Sequence, residues 1–95
     1  MDQVQIGWKN FIKICAGITD EKSLALLLEL FLTADERSDI ALRFLIIREL
    51  FSNKKTQREI AKDLHVSIAK ITRGSNELKR LNKKLSDYLQ EKISE

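Results

Sequence analysis

The chain has 95 residues, no proline, three glycines, 33% charged residues and a net charge of +3, a composition that argues against a turn-rich β-sandwich and for an all-α domain. One domain of this length buries only roughly 60–65% of its unfolded surface, so a partner that completes the core is expected. The longest apolar run is interrupted by Glu29 and falls far short of the ~18 residues that span a bilayer, and nothing at the start resembles a signal peptide, so we expect a cytoplasmic chain with no membrane partner.

About six short helices are predicted. Val4, Trp8, Phe11, Ile12, Cys15 and Ile18 recur at spacings of three and four, which makes the first segment an amphipathic helix. Its Cys15, the lone cysteine, has no partner for a bridge and reads as a small buried hydrophobe. "TDEK" opens a second helix, with Thr19 or Asp20 as N-cap and Glu21 at the positive end of the dipole. That helix carries Leu24, Leu26, Leu27, Leu28, Leu30 and Phe31 and stops near Leu32.

"TADE" is a capping box of Thr33 and Glu36 that begins a third helix. From Ile40 to Ile47 it holds seven apolar residues and only Arg43, leaving no polar face over two turns. A helix apolar all round must be covered on all sides, which points to an intertwined dimer with this helix near its centre. "SNKKT" breaks the pattern, and "TQRE" (Thr56, Glu59) is a second capping box opening a short helix with Ile60, Ala61 and Leu64 inward. "HVS" is a turn. Ser67 is expected to cap the next helix, whose Ile68, Ile71 and Leu78 face back, and a last helix carries Leu85, Tyr88, Leu89 and Ile93.

Ala61 at the close approach, a turn four residues later and Ile71 ten residues after Ala61 give the spacing of a helix-turn-helix over residues 57–78. The turn position, often glycine because it takes φ > 0, is here His65, which tolerates that region better than most residues. Residues 53–84 hold ten Lys/Arg against three acids, a local charge of +7, while the rest of the chain holds seven against eleven, −4. A basic block around such a motif points to double-stranded DNA as the partner. With a single His, no Cys pair, no carboxylate cluster at ligand spacing, no Gly-rich phosphate loop and no nucleophile beside a base, neither a metal site nor an enzyme is expected.

"LTADER", "QREIAKDL" and above all "IAKITRGSNELK", in this order and spacing, resemble the bacterial tryptophan operon repressor family, with similarity running from Trp8 to the C-terminus. The resemblance implies an intertwined helical dimer that binds a two-fold symmetric operator only with L-tryptophan bound as corepressor. It implies that the indole lies between Arg43 and Arg73, with Gly74 leaving room for the ring. Thr33 would bond the ligand carboxylate, and the Leu30 and Leu32 carbonyls would accept from its ammonium. Gln57, Arg58, Ile68, Ala69, Lys70, Thr72 and Lys79 would meet phosphates and base edges.

Three positions depart from the family pattern: Lys70 replaces a small hydroxyl residue, Ala61 a lysine, and Glu77 the serine near the indole N–H. Glu77 can still accept from that N–H. Residues 1–95 are read as one domain, with 1–52 and 82–95 as dimerisation core and 56–79 as the DNA-binding part. Two other readings stay open: a ligand-independent helix-turn-helix module, which would not need Arg43 buried or Gly74 opposite it, and a structural helical adaptor, which would leave the basic block unused.

Overall fold

The computed structural model describes residues 2–94 as six helices: α1 (Gln3–Gly17), α2 (Glu21–Phe31), α3 (Ala34–Ser52), α4 (Gln57–Leu64), α5 (Ile68–Lys79) and α6 (Lys83–Ser94). There is no strand among the described residues, and no helix is long and apolar enough to cross a membrane. The chain divides into two compact units, one up to Arg37 and one from Ser38.

In the first unit the helix ends are set by side-chain caps. Asp2 and Gln5 form a capping box at α1, with the Gln5 N–H donating to Asp2 at 2.8 Å and the Asp2 N–H to Gln5 at 3.1 Å. Asp20, and not Thr19, caps α2 by accepting from the Ser23 N–H at 2.9 Å. The expected box at α3 is present: the Thr33 N–H donates to Glu36 at 2.8 Å and the Glu36 N–H to the Thr33 hydroxyl at 3.1 Å. Phe11 meets Trp8 and Phe31 with ring centroids 6.0 and 5.0 Å apart. Yet no residue of α1 or α2 is fully buried. Cys15, expected inside, is only half-buried, because two helices bring too few side chains together to make an interior.

The second unit has a true core of Ile46, Ile60, Ala61 and Ile71, with Leu50, Leu64 and Val66 packed against it. α4 and α5 pack closely across their turn. The Thr56 and Glu59 box opens α4, with reciprocal bonds of 2.9 and 3.2 Å. His65 closes the helix at φ 55° and ψ 43°, and the Val66 N–H then donates to the Ala61 carbonyl at 3.0 Å. This is the left-handed helix ending that commonly uses glycine. Ahead of α4, the Lys55 ammonium binds Asp63 at 2.8 Å and Glu49 at 3.7 Å, tying the α3–α4 connection to both helices.

Three expectations need correction. Ser67 stands at the N-cap of α5 in extended conformation but makes no side-chain cap bond; only its backbone carbonyl serves the first turn, accepting from the Lys70 N–H at 3.1 Å. Ile68 does not face back; it is 46% exposed, lying about 60° around the helix from buried Ile71. And within this chain the Ile40–Ile47 stretch is covered on one side only: Ile46 is buried, while Ile40 and Phe44 are each 48% exposed.

Candidate functional site

α3 and α5 present two matching stripes. On α3 the positions 39, 42, 43, 46 and 47, and on α5 the positions 70, 73, 74, 77 and 78, each repeat at three and four, so each set shares one helix face. Together with Leu81 and with Leu89 of α6 they enclose a cleft of about 500 Å³. Its floor is aliphatic. Its walls carry Arg43, Lys70 and Arg73 against Asp39 and Glu77.

Arg43 is exposed at the cleft wall. It makes no ion pair with Asp39, one helical turn away, or with any other acid among the described residues; the Glu36 carboxylate is held by the Thr33 N–H, which also lowers its pKa. Arg73 has no ion pair among these residues either. The Glu77 carboxylate is bound by Arg80, so its ability to accept from a ligand N–H is contested. Gly74 lines the cleft, but its missing side chain points at α3: a Cβ there would lie 3.2 Å from Ile46 Cγ2 and 3.5 Å from Leu50 Cδ1. The glycine eases the close approach of two helices, whatever the cleft holds, since a Cβ would push Ile46 back by a few tenths of an ångström.

The remaining ligand candidates belong to the first unit. The Thr33 hydroxyl accepts from the Glu36 N–H in the capping box, and its bond to the Glu36 carboxylate, which helps lower that group's pKa, competes with any ligand. The Leu32 carbonyl accepts from the Arg37 guanidinium at 2.9 Å, a competitor for any ammonium that sequence reasoning missed. Leu30, next to last in α2, has an exposed side chain, and its carbonyl lies in the last turn, where a helix leaves acceptors without intrahelical partners.

A second set of residues lies away from the cleft. Arg58, Ile68, Ala69, Thr72 and Lys79 are exposed on α4 and α5. Gln57 accepts from the Thr72 hydroxyl at 3.0 Å, locking the start of α4 to α5. Of the ten cations in residues 53–84, Lys55, Arg80 and Lys83 are held in ion pairs. The other seven are in none among the described residues, so the block keeps most of its field for an external polyanion. Lys70, expected among the DNA contacts, is placed by the structure along the cleft. Asp39, Leu42, Ile46, Ile47, Leu81 and Leu89 join the cleft unannounced by any motif; the three-and-four spacing on α3 was the only available signal.

No group of three or more His, Cys, Asp or Glu among the described residues could hold a metal ion. Comparison with known proteins gives one consistent answer. The family model for "Trp repressor protein" matches residues 6–93. A Trp operon repressor homolog of Chlamydia trachomatis serovar D is 47% identical over 92 residues, covering 97% of this chain and 98% of that protein. The homolog of Chlamydia caviae is 45% identical over 83 residues, covering 87% and 82%. That of Vibrio parahaemolyticus is 37% identical over 82 residues, covering 86% and 80%.

Proposed function

The chain belongs to the Trp repressor family and is by that membership a transcriptional repressor and not an enzyme; from this premise we propose that it binds a two-fold symmetric operator as a homodimer, with L-tryptophan as corepressor. The observation that carries the ligand is the cleft of about 500 Å³, aliphatic at its floor, with Arg43 on one wall and Arg73 on the other. Two guanidiniums without anions can flank an aromatic ring and bind its carboxylate by charge-assisted hydrogen bonds. For the ammonium and carboxylate the reading keeps the Leu30 and Leu32 carbonyls and the Thr33 hydroxyl. Glu77 remains the candidate acceptor for the indole N–H, in competition with Arg80.

Arg58 and Lys79 supply cations for phosphates, while Ile68, Ala69, Thr72 and the uncapped start of α5 face the groove. Gln57 both contacts DNA and steadies Thr72. α5 carries cleft residues on one side and these residues on the other, so anything that fixes α5 against α3 also fixes how α5 is offered to DNA. By linkage, DNA must raise tryptophan affinity by the same factor that tryptophan raises DNA affinity.

The homodimer is supported by the apolar surface one chain leaves open: Trp8 at 64%, Leu30 at 78%, and Ile40 and Phe44 on α3. A second copy offers matching surface. The decisive experiment is calorimetric titration of the purified protein with L-tryptophan, followed by selection from a randomised DNA pool with and without it. Saturable binding, and enrichment of a palindromic site only with L-tryptophan, are expected. Equal enrichment in both conditions would replace the corepressor reading with the ligand-independent module.

A further inference from the structure

We infer that Lys70 is a ligand-specificity residue of the α3–α5 cleft, its ammonium acting beside Arg43 and Arg73 to select the ligand by its carboxylate; this rests on the tryptophan-binding reading above. At about 100° per residue, Lys70 shares a face of α5 with Arg73, Gly74 and Glu77, whereas Ile68 and Thr72 lie about 160° around the helix from it. The first four all line the cleft. Thr72, on the other side, has its hydroxyl bound to Gln57 of α4. The family resemblance alone groups Lys70 with the DNA contacts; the helix face separates it from them.

The charge balance of the cleft follows from this placement. Arg43, Lys70 and Arg73 are in no ion pair among the described residues, and of the two acids on the walls Glu77 is already held by Arg80. Asp39 alone is left to balance three cations. An aliphatic floor contributes nothing to anion binding, so the excess positive charge favours an occupant with an apolar body and an anionic head. The three cations divide the work by shape. Planar guanidiniums suit the faces of a ring, and a compact ammonium on a flexible stem suits a carboxylate whose position the ring sets. The Lys70 stem can lie along the wall while its charge reaches the mouth.

The test uses the full-length protein and three probes in calorimetry: L-tryptophan, indole-3-propanoate, which keeps the carboxylate without the ammonium, and L-tryptophanamide, which keeps the ammonium without the carboxylate. Lys70→Met preserves stem length, and because Lys70 is exposed its thermal midpoint should match the wild type. It should bind the first two probes about fivefold more weakly and the amide no more weakly, and Lys70→Arg should restore both carboxylates to within about twofold. Unchanged L-tryptophan affinity in Lys70→Met, or an equal loss for the amide, overturns the inference while leaving the corepressor reading intact. A wild type that binds none of the probes overturns the corepressor reading, and the inference falls with it.

Discussion

Arg43 interrupts seven apolar residues on α3, and its exposed guanidinium at the cleft wall gives that interruption a use. Arg43→Ala should weaken L-tryptophan binding by roughly tenfold, the equivalent of ~1–2 kcal/mol in cation–π and charge-assisted contact. It should also abolish ligand-dependent operator binding yet leave weak, ligand-independent binding through the basic block. Arg73→Ala, on the helix that carries both surfaces, should weaken both. Operator affinity with and without L-tryptophan, measured on variants shown to keep the wild-type assembly state, separates the two outcomes. Gly74 is a different kind of residue, because its replacement acts on packing before it acts on ligand. With Ile46 Cγ2 only 3.2 Å from a Cβ at this position and Ile46 itself buried, Gly74→Val should destabilise the protein by about 1–3 kcal/mol, seen as a lower urea midpoint.

At the level of elements, the boundaries are decided by short polar side chains. Thr33 with Glu36 and Thr56 with Glu59 each exchange two hydrogen bonds at a helix start. The Thr33 and Thr56 backbone N–H groups, bonded to these carboxylates, are the main cause that lowers both glutamate pKa values. Lys55 does the same for Asp63, first by its hydrogen bond and then by its charge. In each case the folded-state pKa lies below the unfolded one, so the stabilisation is present above the unfolded value and is lost as pH falls through the folded value. Stability in urea should therefore decline as pH is lowered from about 5 towards 3. Thr56→Ala should cost about 1 kcal/mol at neutral pH and make that decline shallower; an unchanged acid slope would count against the Thr56–Glu59 box as a contributor. These boxes were readable because a capping box is a local pattern four residues long. Ser67 shows the limit of such patterns, since it occupies the right position without making the bond.

For the whole molecule the main expectation is assembly. The first unit lacks a buried interior and α3 leaves Ile40 and Phe44 half open, so the protein should sediment as a dimer without ligand or DNA. A stable folded monomer at micromolar concentration would contradict the homodimer. Two copies of the basic block should also make operator binding steeply salt-dependent, with log K falling by about 0.9 per phosphate contact per log unit of salt. Lys79→Ala, which removes an exposed cation of α5 on the side proposed above to meet DNA, should reduce that slope by about one contact and weaken all sequences alike.

Sequence by itself determined the six helices, both capping boxes at α3 and α4, the left-handed turn at His65 and the Ala61–Ile71 packing, because each depends on residues within a few turns of one another. Three-and-four periodicity reports which residues share a face of one helix. It does not report what that face meets. Only the tertiary structure decided that Lys70 lies along the cleft, that Gly74 is small for Ile46 and Leu50, that Arg80 holds Glu77, and that Arg37 reaches the Leu32 carbonyl. Facing surfaces bring together residues distant in sequence, as Arg43 and Arg73 are, and long charged side chains choose among several partners within reach. Those choices are made by packing and Coulomb energy in three dimensions, where a one-dimensional pattern carries no information.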